Sequence, residues 1–125
     1  MNAYIHDIQT QSVALREAAE KYSPKKLDAV QNRLQNGEFD RIIISGMGAS
    51  FNAAYPAYLS LSQSGLPVNL VNTAELLNYL LHSIGSKTLL WLNSQSGRSV
   101  EMVRLLAALT ENKPACLIAC VNDVD

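Results

Sequence analysis

The 125-residue chain predicts an α/β fold built on a doubly wound parallel sheet, and three observations lead there. Four apolar runs stand out: Arg41 to Ser45 (RIIIS), Val68 to Val71 (VNLV), Thr88 to Asn93 (TLLWLN) and Ala115 to Val121 (ACLIACV). The first, third and fourth are near-continuous rather than alternating, the pattern of parallel strands covered on both faces. Helical patterns fill the gaps, and strand–helix alternation implies right-handed crossovers. The expected architecture is a three-layer sandwich with the flavodoxin-like strand order 2-1-3-4.

Each helix follows from local signals. Residues 2 to 22 show broken helical periodicity. Ser23-Pro24 offers an N-cap followed by proline at the first helical position, and Gly37 stops that helix. A third helix is expected from about Ser50 to Ser64, closed by GLP at 65 to 67. Pro56 removes a backbone bond to Asn52 and should kink it. Thr73 is read as the cap of a short helix through about Leu81. The last helix spans 98 to 111, with Val100, Val103, Leu106 and Ala107 facing inward.

Composition excludes several classes. With 17% charged residues and a formal net charge of −1, the chain lacks the basic excess of a nucleic-acid binder. No apolar stretch reaches membrane-spanning length, and the N-terminus lacks a signal-peptide pattern. A cytoplasmic protein with no nucleic-acid or membrane partner is expected. No metal-ligand spacing appears, so no metal and no cofactor are expected. Cys116 and Cys120 would share a strand face about 13 Å apart, too far for a disulfide, and read as small buried apolar residues. His6 and His82 stand alone.

Two loops hold the chemistry. In doubly wound sheets ligands bind beyond the carboxyl ends of the strands where the winding reverses. With order 2-1-3-4, the loops after strands 1 and 3 flank that crevice. Here they are SGMGAS (45 to 50) and SQSGRS (94 to 99). Both lead into helices, whose unpaired N–H groups and partial positive charge favour a phosphate or carboxylate. Gly46, Gly48 and Gly97 allow close backbone approach. Ser50, Ser94, Ser96 and Ser99 add hydroxyls, Gln95 an amide, and Arg98 the nearby positive charge. Serine-rich loops before helices also serve as mere caps and turns; two such loops meeting at a switch point favour a cradle for a phosphorylated small molecule. A dinucleotide site is rejected, because Phe51 stands where the third glycine belongs and Val71-Asn72 where an acidic residue should.

SGMGASFNAA, followed some forty residues later by SQSGRSVE, resembles the sugar isomerase (SIS) domain. The likeness is greatest to the isomerising domains of glutamine–fructose-6-phosphate aminotransferase and related phosphosugar isomerases. It covers nearly the whole chain, including the helical lead-in YIHDIQTQSVALREA. The resemblance implies that Ser94, Gln95, Ser96 and Ser99 hold the sugar phosphate, with Ser50 also in contact and Gly48 and Gly97 shaping the turns. There are departures. Arg98 stands where the aminotransferase pattern has an acidic residue, and Met47 where its first loop commonly has a cysteine. The catalytic acid of phosphoheptose isomerases has no counterpart in YLSLSQ.

The resemblance divides the chain into a helical lead-in, 1 to 37, and an incomplete SIS phosphosugar-binding domain, 38 to 125, with its last strand and helix missing. The family's catalytic glutamate, histidine and lysine would lie in a half this chain does not contain. Isomerisation needs a base to move a proton between carbons. The carboxylates near the crevice, Glu75 and Glu101, sit at helix starts, where the dipole alone favours them. The expected function is sugar-phosphate binding as the first SIS half of an isomerase or aminotransferase, with catalytic residues unknown. The alternative is a phosphosugar-sensing module without catalysis, and a truncated product that merely folds is a third reading. The unpaired edge of ACLIACV predicts a homo-oligomer, most simply a dimer.

Overall fold

A computed structural model describes residues 2–121 of the chain. It divides into two compact units, residues 1–32 and 33–125. The first holds helix α1 (Ala3–Lys21), a 3-10 turn (Pro24–Leu27) and the start of α2 (Asp28–Gln35). Asn2 caps α1 by accepting from the Tyr4 N–H at 2.8 Å, and α1 carries no buried residue. The expected single helix from Ser23 is instead a 3-10 turn followed by α2. The Ser23 hydroxyl makes no capping bond.

The second unit is a four-stranded parallel sheet, ordered β2-β1-β3-β4 as expected. Its strands are β1 (Arg41–Gly46), β2 (Val68–Asn72), β3 (Thr88–Asn93) and β4 (Cys116–Cys120). Helices α3 (Ala49–Ala53) and α4 (Tyr55–Ser62) join β1 to β2. Helix α5 (Thr73–Tyr79) with a 3-10 turn (Leu81–Ser83) leads to β3, and α6 (Val100–Ala108) leads to β4. The core lies where α5 and α6 meet the sheet. Ile43, Leu90 and Leu92 of the strands pack with Leu76, Ile84, Met102, Leu105 and Leu109. Before β1, Arg33 ties the unit together: it pairs with Glu38 at 3.1 Å, donates to the Ala115 carbonyl at 3.1 Å and lies over the Phe39 ring.

Several local expectations fail for physical reasons. Pro56 does more than kink its helix: the helix divides at Ala54, and the proline falls in the first turn of α4, where its missing N–H costs nothing. Asn72, not Thr73, caps α5 by accepting from the Ala74 N–H at 2.9 Å. Thr73 is instead the first helical residue, fully buried, with its hydroxyl 2.9 Å from that of Ser45.

The inward face of α6 is also rotated from the one expected. Met102 and Leu105 are buried, whereas Val100, Val103 and Leu106 are 61%, 55% and 42% exposed, and Ala107 is exposed too. The helix has two apolar stripes, and periodicity alone cannot say which one meets the sheet. Finally, β4 is not covered on both faces. It pairs only with β3, Cys116 is half-buried and Cys120 exposed, so neither is the buried apolar residue expected.

Candidate functional site

The sheet register decides which loops meet. Gly46 ends β1 opposite Asn93, which ends β3, and Asn72, which ends β2. The chain segments leaving these residues therefore start side by side at the carboxyl edge. The Asn93 side-chain amide donates to the Ser50 carbonyl at 2.8 Å, joining the end of β3 to the first turn of α3. Gly46 seals the junction. A Cβ there would lie 2.9 Å from the Asn93 carbonyl oxygen and 3.0 Å from Phe51 N and Ser50 C, so no side chain fits between the two loops.

Every residue expected at the cradle borders this junction. In the first loop, Gly48 precedes α3 with φ +54°, a conformation that strains any residue with a Cβ. Ser50, half-buried, lies in the first turn of α3. That helix is five residues long, so the dipole expected of it is small. In the second loop, the Ser94 N–H donates to the Cys120 carbonyl at 2.9 Å, anchoring the loop to β4. The Ser94 hydroxyl then accepts from the Gly97 N–H at 2.9 Å, and the Ser96 hydroxyl from the Arg98 N–H at 3.1 Å. Gly97 turns with φ +70°. Ser99 caps α6, accepting from the Met102 N–H at 3.2 Å. Gln95, Ser96 and Arg98 are exposed.

Three serines of the second loop thus already act as turn and cap acceptors. A hydroxyl that accepts one N–H still keeps its own proton to donate. The loop can be self-structured and still offer O–H donors to an anion, so the structural and the binding roles do not exclude one another. Glu75 and Glu101 occupy the first turns of α5 and α6. Among the described residues no group of His, Cys, Asp and Glu could hold a metal ion, and no helix is long and apolar enough to cross a membrane.

Asn93 is the residue that inspection of the two loops passed over. It is the polar end of an otherwise apolar strand, and its position opposite Gly46 follows once order 2-1-3-4 is drawn in register.

Solved structures share this arrangement. A Bacteroides fragilis protein assigned as a phosphosugar isomerase involved in capsule formation superposes with a TM-score of 0.74 at 20% identity, over 98% of this chain and 67% of its own. Escherichia coli CFT073 c3406, solved with a sugar phosphate bound, gives 0.73 at 22% identity, covering 98% of this chain and 67% of its own. The fold is that of a SIS domain. Tagatose-6-phosphate ketose/aldose isomerase from Escherichia coli matches the SIS fold at 25% identity and TM-score 0.54, over 79% of this chain and 30% of its own. In sequence, glutamine–fructose-6-phosphate aminotransferase (isomerizing) of Chlamydia caviae is 29% identical over 123 residues, 94% of this chain. The chain spans 20% of that relative's length. No family model matches the chain.

Proposed function

We propose that this SIS domain binds a phosphorylated sugar, a hexose or amino-sugar phosphate, between the loops at 46–50 and 94–99. The reading makes residues 1–37 a helical lead-in and 38–125 the phosphosugar-binding part. It serves as the first SIS half of an isomerase- or aminotransferase-type protein. Ser94, Gln95, Ser96 and Ser99 hold the phosphate through hydroxyl and amide donors, Ser50 contacts the sugar side, and Gly48 and Gly97 keep Cβ atoms out of the way. The observation that carries this reading is the 2.8 Å bond from Asn93 to the Ser50 carbonyl, which holds the first loop beside the head of the serine loop. The sugar-phosphate complex of c3406 and the name of the Chlamydia relative supply the ligand class.

Thermal-shift titration tests it, with fructose 6-phosphate and glucosamine 6-phosphate against the unphosphorylated sugars. At a hundred times the dissociation constant, a site present only in the folded state adds about 2.7 kcal/mol of stability. The phosphorylated sugars should raise the melting temperature and the plain sugars should not. No shift with any sugar phosphate would end the proposal. Isomerisation itself we assign to residues outside this chain, so isomerase assays should find no turnover at enzyme-like rates.

The same reading includes a homodimer. The exposed stripe Val100, Val103 and Leu106 on α6 begins directly after Ser99, and β4 leaves one edge unpaired. Burying that stripe is the favourable step. Sedimentation at micromolar concentration should show a dimer or larger species, and a monomer would refute this part.

A further inference from the structure

At the opposite end of the sheet, where β1 and β3 begin, lies a cavity of about 290 Å³ that the sugar-phosphate reading does not use. Arg41 and Thr88, paired in register, form its floor. The cavity is five residues of β1 from Gly46, roughly 17 Å at the rise of a parallel strand. Its wall is mostly cationic or donor in character: Arg41, Lys87, His82 and the turn residue Ser86, with Asp40 as the one acidic side chain.

The cations are held in different ways. The Arg41 guanidinium donates to the Ser83 carbonyl at 3.2 Å, which fixes it against the wall and leaves other N–H groups of its fork available. Lys87 and His82 are exposed and take part in no ion pair among the described residues. Among those residues the backbone N–H groups of Ser86 and Lys87 are not taken by any backbone carbonyl. A guanidinium fork, an ammonium and adjacent turn N–H groups around one concavity form a donor set suited to a tetrahedral anion.

We propose that this cavity is a second anion site, taking the phosphate group of a small phosphorylated molecule independently of the serine loop. Arg41 and Lys87 supply the charge, and His82 and the 86–87 turn complete the donors. Asp40 opposes it, which limits affinity and sets the sign of one test. As a largely open site it should weaken steeply with salt.

The experiment is a two-dimensional amide NMR titration of the intact chain with inorganic phosphate at constant ionic strength, with chloride as control. The amides of Ser86, Lys87 and Thr88 should shift saturably with phosphate and not with chloride. Lys87→Gln should weaken that binding about tenfold, a loss of about 1.4 kcal/mol, and Asp40→Asn should tighten it several-fold. Ser96→Ala should leave it unchanged. Amides at 94–99 report the other site in the same spectra, so the two proposals fail separately. Unmoved amides at 86–88, equal shifts with chloride, or an affinity indifferent to both Lys87→Gln and Asp40→Asn would each overturn the inference.

Discussion

The two loops of the candidate site meet at one edge but are held in opposite ways. The first is governed by backbone packing: Gly46 is buried, with carbonyl and amide atoms where a side chain would start. The second is governed by its own side chains, Ser94, Ser96 and Ser99 each accepting a loop or helix N–H. A packed loop has no slack and provides a fixed wall. A loop tied by hydroxyls can exchange those bonds for bonds to a ligand at small cost, because each is worth only about 1 kcal/mol net. On this contrast the first loop sets the shape of the cradle and the second does the recognising.

Gly46→Ala should break the contrast most strongly. Its methyl carbon would sit 2.9 Å from the Asn93 oxygen and 3.0 Å from the backbone of Ser50 and Phe51. All of these are backbone atoms, so relief means moving β3 or α3. Overpacking of this kind costs about 1–3 kcal/mol, and the upper part of that range is expected. Urea unfolding should show a lower midpoint at an unchanged slope. The sugar-phosphate thermal shift should vanish as well. A midpoint like that of the parent would mean the first loop yields, and the division of labour between the loops would fall.

Next come the ties between and within the loops. Asn93→Ala removes the donor to the half-buried Ser50 carbonyl and should cost about 1–2 kcal/mol. Ser99→Ala removes the cap of α6 and should cost about 1 kcal/mol. Asn93→Ala should weaken binding by more than its stability cost implies, because it separates Ser50 from the serine loop. Ser99→Asp offers a sharper comparison: it keeps a capping oxygen and so restores stability, but places a negative charge beside the anion. A Ser99→Asp chain that is stable and still binds sugar phosphate would show that Ser99 only caps.

Which parts of this were legible in the sequence follows from what sets each part. Strand order came from winding rules that need only the alternation of elements, and the two loops were singled out by their glycine and serine content. The face of α6 was not legible. Val100, Val103 and Leu106 form as good a stripe as Met102, Leu105 and Leu109, and the choice depends on how Ser99 and the serine loop aim the helix. The cap of α5 was misassigned for a similar reason: Thr73 is a good cap by type, but a buried bond to Ser45 claims its hydroxyl, and Asn72 takes the cap. Asn93 went unremarked because its role lies in a partner 43 positions away, which only register reveals. Long-range partners, not local propensity, settled each of these cases.

The smallest expected effect on stability, Ser96→Ala, tests recognition most cleanly. Ser96 is exposed, and its hydroxyl accepts only the neighbouring Arg98 N–H at 3.1 Å, which water can replace. Removing it should change unfolding free energy by less than about 0.5 kcal/mol. If the hydroxyl donates to a phosphate, sugar-phosphate affinity should nonetheless fall about tenfold, since a hydrogen bond to a charged group is worth about 1.5–3 kcal/mol. Measuring urea unfolding and ligand titration on the same preparation separates the two quantities. Equal small losses in both would make the serine loop a turn like any other and leave the packed loop without a recognising partner.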